Sequence, residues 1–210
     1  MQAGELVEHA GAADELARRD PDLARAIAAV GPLNIRPSLD SSFAALCRSI
    51  VFQQLAGKAA AAIYGRFLQA VGPELTAAAV LATPQPDLRA AGLSAAKTAS
   101  LLDLSAKVAD GTVPLDGIEE LGDEEIVARL SSVRGIGRWT AEMFLIFQLR
   151  RPDVWPVDDL AVRRGYAVMH RLPEWPKPKE LERLGAVYRP WRSIAAWYCW
   201  RMTDVVLPEA

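Results

Sequence analysis

Three observations predict an all-α fold. The 210-residue chain holds 36 alanines, no stretch alternates apolar and polar residues as a half-buried strand would, and helix stop signals recur along its length. The elements follow in order. Asp20-Pro21 opens a helix with a capping carboxylate and a first-turn proline, and Gly31-Pro32 closes it. Ser41 or Ser42 caps a helix whose Phe43, Leu46, Ile50 and Val51 share one apolar face. A third runs from Lys58 to Val71 and stops at Gly72-Pro73. Short helices are expected around 74–82 and 86–91, then a longer one from Ser94 to Asp110. Pro114 and Gly117 mark 111–117 as a loop. Helices are predicted for Asp123–Leu130, Arg138–Leu149, Asp159–Arg171, Pro178–Val187 and Pro190–Met202.

Composition narrows the function classes. Two cysteines, Cys47 and Cys199, exclude a disulfide scaffold, a four-cysteine zinc site and a cysteine-ligated iron–sulfur cluster within this chain, and they read as small buried hydrophobes. No apolar run reaches the ~18 residues of a membrane span and no signal peptide is visible, so a cytoplasmic protein without a membrane partner is expected. The net charge is only −2, but it is polarised. Residues 1–133 carry 11 basic and 17 acidic side chains; residues 134–201 carry 13 and 7. Such a chain can present one basic face while the whole stays near neutral.

The segment Leu130-Ser-Ser-Val133-Arg-Gly135-Ile-Gly137-Arg-Trp139-Thr-Ala141 locates that face. A helix runs into Val133, two glycines flank Ile136, and a second helix starts at once. Glycines let another backbone come close, and the following helix points its first N–H groups at the turn. With Arg134 and Arg138 beside it, the turn is suited to one phosphate. Downstream, Arg150-Arg151-Pro152 and Trp155-Pro156-Val157 lead to Asp158-Asp159-Leu160 at a helix start, where either aspartate could simply cap the helix.

Hairpin, proline-containing loop and aspartate together resemble the helix–hairpin–helix DNA glycosylase superfamily, whose loop-closing aspartate is catalytic. Asp159 lies 20 residues after Trp139, with Arg164 five further on, and the resemblance implies Asp159 over Asp158 because this spacing matches the family's register. Bifunctional members carry a nucleophilic lysine where this chain has Trp139, so the resemblance implies monofunctional chemistry. Gly-Ile-Gly-Arg-Trp-Thr-Ala is similar to the alkylation-repair branch, DNA-3-methyladenine glycosylase II. Ile50-Val-Phe-Gln53-Gln54-Leu55 with Lys58 resembles that branch's DNA-facing helix–loop, and Pro190–Trp200 its C-terminal helix.

Residue by residue, the resemblance implies Asp159 as catalyst and Trp139, Met143, Trp200 and Gln53 around the base. It implies Arg134, Gly135, Gly137, Arg138, Thr140, Gln54, Leu55 and Lys58 on DNA, with Gln54 or Leu55 as the wedge. Met143 stands where an aromatic is common. The backbone carbonyls of Ser131, Val133 and Ile136 are expected to hold a monovalent Na+ or K+, and no cofactor is required. Two lobes are implied, one spanning about 40–149 and the other 1–39 with 150–210, with Asp159 at the cleft between them. The expected activity is hydrolytic excision of 3-methyladenine- or 7-methylguanine-type bases from double-stranded DNA by a monomer. The alternatives are a non-catalytic DNA-binding module and a glycosylase for uracil or a deaminated or oxidised purine. Trp155, Trp175, Trp191 and Trp197 are expected to be structural, His9 and His170 ordinary side chains, and Arg192 the partner of a carboxylate.

Overall fold

The computed structural model describes residues 11–35 and 38–203, which are helical with no strand among them. His9 lies outside the described residues. Side-chain caps at Asp20, Ser41, Thr76, Ser94 and Asp159 start five of the α-helices among the described residues. Helix α1 (Ala12–Arg19), absent from the sequence expectation, ends at Asp20; that side chain then accepts from the Asp22 and Leu23 N–H groups to start α2 (Pro21–Val30). Ser41, not Ser42, caps α3 (Ser42–Phe52), with its Oγ accepting from Ala44 N at 3.2 Å. Helix α4 (Gly57–Val71) ends at Gly72, Thr76 caps α5 (Ala77–Ala82), α6 spans Gln85–Ala90, and Ser94 caps α7 (Ala95–Ala109). A 3-10 turn at Ile118–Glu120 precedes α8 (Asp123–Ser131).

The expected single helix 138–149 is instead α9 (Arg138–Met143) followed directly by a π-helical stretch, Phe144–Gln148. The wider hydrogen-bond ring adds a residue to the turn and rotates every later side chain. Asp159 caps α10 (Leu160–Met169), which stops two residues before the expected Arg171. Helix α11 (Pro178–Leu184) tightens into a 3-10 turn at Gly185–Tyr188, and α12 covers Arg192–Met202.

The chain divides into two compact units. Residues 38–144 form one, where the sequence reading placed 40–149. In it α3 packs against α4 and α7, α5 against α7, and α8 against α9, around Leu46, Ile50, Phe67, Leu104 and Leu130. The described residues before 38 and after 144 form the other. There α10 lies along α12, and α2 packs on both, around Leu16, Leu23, Trp155, Tyr166 and Ile194. Trp155 is buried and donates to Leu181 O at 2.8 Å, whereas Trp175 is half exposed. Arg192 pairs with Asp153 at 2.7 Å, as expected for an arginine on a helix facing the core. His170 joins a polar cluster: Nδ1 lies 3.2 Å from Asp22, and Nε2 lies 3.1 Å from the Tyr188 hydroxyl, which donates to Asp20 at 2.5 Å. Both cysteines are buried, and desolvation raises both thiols above the ordinary range. No helix among the described residues is long and apolar enough to cross a membrane.

Candidate active site

The two adjacent aspartates separate cleanly. Asp158 is exposed, whereas Asp159 is 7% exposed at the N-cap of α10. Its Oδ1 accepts from Val162 N at 2.8 Å and from the Trp200 indole Nε1 at 3.2 Å. The first bond comes from the start of α10 and the second from α12, so two packed helices hold one carboxylate in a fixed direction. Trp200 in turn stacks on Phe147, with ring centroids 5.5 Å apart and planes inclined by 29°. An anchored carboxylate beside a stacked aromatic pair can stabilise a developing cation and orient water.

The hairpin lies in the other unit. Gly135 takes φ +78°, a left-handed conformation costly to residues with a Cβ, and a Cβ there would come 2.5 Å from Ser100 Oγ. Gly137 differs: its φ is −97°, and a Cβ would meet nothing within 4 Å. Nothing inside the described fold requires glycine at 137; an outside group that approaches the backbone would. Gly135→Ala is therefore expected to lower thermal stability, while Gly137→Ala leaves the melting temperature within about 2 °C of wild type and weakens DNA binding. Paired melts and anisotropy titrations check this, and equal behaviour of the two variants would contradict it.

Around the turn, Arg134 is exposed and donates its backbone N–H to Asp103 Oδ2 at 2.7 Å. That bond, with the Lys107 ammonium beside it, holds the Asp103 carboxyl below its ordinary range. This tie stabilises above the ordinary carboxylate range and is lost as pH falls through the lowered value. Arg138 is half exposed and bonded to both carboxylate oxygens of Glu124, at 2.6 and 3.1 Å. It also lies 3.6 Å from buried Glu142. Thr140 is buried, and Trp139, expected at the base, is 45% exposed. Met143 is half buried. Gln53, expected at the base, donates Nε2 to Gly135 O at 3.0 Å and thereby braces the hairpin. Gln54, Leu55 and Lys58 are exposed, and Gln54 is held at φ +58°.

The three carbonyls expected to hold a monovalent cation fit only in part. Val133 O already accepts the Ile136 N–H at 3.1 Å. The Lys107 ammonium donates to Ser132 O, in the middle of the same turn.

A family model described as "HhH-GPD superfamily base excision DNA repair protein" matches residues 47–190. The chain belongs to the HhH-GPD superfamily. It is 39% identical over 163 residues to DNA-3-methyladenine glycosylase 1 of Schizosaccharomyces pombe, covering 76% of this chain and 72% of the relative. Its fold matches that of the S. pombe 3-methyladenine DNA glycosylase solved with abasic DNA, with a TM-score of 0.81 and 35% identity over 92% of this chain and 97% of that one. A Bacillus halodurans DNA-3-methyladenine glycosidase matches with a TM-score of 0.84 and 31% identity, over 92% and 89% of the two chains.

In this HhH-GPD chain, sequence reasoning missed Phe147. Its signal was present: Trp139, Met143 and Phe147 recur every four residues. A straight 3.6-residue helix does not predict that Phe147 meets Trp200; the π-helical turn changes the rotation. Lys97, Asp103 and Lys107 also went unassigned, because their partners are backbone atoms far away in sequence.

Proposed function

We propose that this protein is a monofunctional DNA glycosylase that removes alkylated bases of the 3-methyladenine and 7-methylguanine type from double-stranded DNA. The observation that carries the reading is Asp159, a buried carboxylate anchored between Val162 N and the Trp200 indole in a chain of the HhH-GPD superfamily. The hairpin grips a phosphate through Arg134 and the backbone at Gly137. A side chain at Gln54 or Leu55 fills the gap left by the flipped nucleotide, and Lys58 meets phosphate. The Trp200–Phe147 pair beside Asp159 offers aromatic surface to an electron-poor ring.

An alkylated purine carries positive charge, so breaking its N-glycosidic bond returns the electron pair to the base and neutralises it. The sugar is left as an oxocarbenium-like cation. The Asp159 carboxylate stabilises that cation and orients the water whose oxygen bonds to C1′, while the water's proton passes to solvent through the carboxylate. The products are free base and an abasic site, and no cofactor enters the reaction. A cation on the Ser131, Val133 and Ile136 carbonyls would only brace the turn. The enzyme acts as a monomer in the cytoplasm, a reducing compartment that suits its two buried free thiols.

Two assays test the proposal together. Methylated duplex DNA should release 3-methyladenine, with strands that break only under alkali or heat. Borohydride should trap no adduct, because a Schiff base needs a pocket amine and position 139 is tryptophan. Of the five lysines, Lys97 and Lys107 are tied to backbone carbonyls. A trapped complex lost on replacing one lysine would overturn the monofunctional assignment.

A further inference from the structure

Among the polar side chains of helix α7, Lys97, Ser100, Asp103 and Lys107 are spaced three, three and four residues apart. At 3.6 residues per turn they fall within a sector of about 120° on one face. Every one of them meets a segment that the proposed function places on DNA. Lys97 Nζ donates to Val51 O and Gln53 O, both at 2.7 Å, and so closes the C-terminal end of α3 immediately before Gln54. The backbone of Gly135 lies directly against Ser100, which leaves no room for a Cβ. Asp103 Oδ2 takes the Arg134 N–H at 2.7 Å and the Lys107 ammonium at 2.9 Å, and the same ammonium reaches Ser132 O. Gln53 closes the circuit, donating from the loop to Gly135 O at 3.0 Å.

A helix packed against other helices is held more cheaply by apolar contacts than by partly buried charges that each need a partner. Lys97, Asp103 and Lys107 bond to backbone atoms at the end of α3 and in the two loops, while Ser100, whose Oγ donates to Ala96 O of its own helix, lies against Gly135. Loops are the mobile parts of a scaffold, and a binding surface made of two of them loses affinity unless their spacing is set beforehand. Gln54 in particular holds a left-handed backbone conformation that is unfavourable for a residue with a Cβ, and surrounding bonds must maintain it.

We propose that the Lys97–Ser100–Asp103–Lys107 stripe of α7 is a positioning device that fixes the hairpin turn 132–135 against the wedge loop 53–55, so that both engage one stretch of DNA as a single rigid template. This rests on the glycosylase reading. The four residues touch neither DNA nor the reacting atoms; they act through the two loops. Lys107 also supplies the hairpin with a positive charge from within the chain.

The test uses the full chain with Lys97→Met, Asp103→Asn, Lys107→Met and Lys107→Arg. Asp103→Asn keeps an acceptor for the Arg134 N–H while removing the charge that holds Lys107, and melts establish that each variant is folded. Kd is measured on a duplex holding a stable abasic-site analogue, and KM and kcat on duplex containing 7-methylguanine. Lys97→Met, Asp103→Asn and Lys107→Met should each raise Kd and KM about tenfold, the loss expected for one charge-assisted bond, with kcat falling less than about threefold. Lys107→Arg should stay within about threefold of wild type in Kd.

The decisive measurement is the double variant Lys97→Met/Asp103→Asn, whose two sites hold different loops. If the stripe sets one spacing, either change already releases it, and the double variant should bind at least about fivefold better than the product of the two single losses. Folded variants that bind and excise like wild type, or single losses that simply multiply, overturn the proposal. A wild-type protein that releases no base from methylated DNA sinks the glycosylase reading instead.

Discussion

Asp159→Asn should lower the single-turnover rate of base release by about a thousandfold while leaving the fold and DNA affinity close to wild type. The geometry explains why the two effects separate. The carbonyl oxygen of asparagine can still accept from Val162 N and from Trp200 Nε1, so the cap of α10 and its tie to α12 survive. The negative charge that would face the sugar cation is gone. Asp158→Asn is the control, because Asp158 is exposed and should excise within about threefold of wild type. Excision by Asp159→Asn at the wild-type rate, with Asp158→Asn inactive, would move the catalytic role one residue along the chain.

The largest loss of stability is expected at Gly165, a position with no part in the chemistry. It lies in α10 where α12 crosses, and a Cβ there would come 1.8 Å from Cys199 O and 2.9 Å from its Cα. The obstacle is the backbone of a packed helix, which has no rotamer to change. Gly165→Ala must therefore push α10 and α12 apart, at a cost of about 3 kcal/mol or more. For a chain of this size that lowers the melting temperature by roughly 6–12 °C. The separation also pulls Asp159, at the head of α10, away from Trp200 on α12. Melting and excision assays on the same preparation should show both losses, with excision reduced at temperatures where the variant is still folded. A Gly165→Ala protein as stable and active as wild type would show that the close crossing is not needed.

Several helix starts were legible in the sequence because a cap is a local event. Asp20, Ser94 and Asp159 each bond to an N–H two or three residues ahead, so residue type and position mark them, and the same rule narrows the start of α3 to Ser41 or Ser42. The hairpin was legible for the same reason: two helices joined by Gly135-Ile-Gly137 leave little choice of turn. The resemblance to the glycosylase superfamily, through its register from Trp139, selected one of two aspartates, and the structure shows the physical difference between them, one buried and anchored, the other exposed.

What the sequence by itself determined, then, is the helical class and the phosphate-suited turn, and the resemblance its motifs carry added the position of the carboxylate. Tertiary structure alone decided what surrounds them. The Trp200 indole reaches Asp159 across 41 residues, and Phe147 stacks on Trp200 only after a π-helical turn changes the helix rotation. Arg138, read as a phosphate ligand, already holds Glu124, and Gln53, read as lying around the base, bonds to Gly135 O of the hairpin. Gly165 looks like any helical glycine until α12 is seen pressed against it. Caps and turns are fixed by neighbours within about four residues, whose identities are adjacent on the chain. Long-range partners are set by how helix faces pack, and packing depends on the volume and rotation of every residue between them.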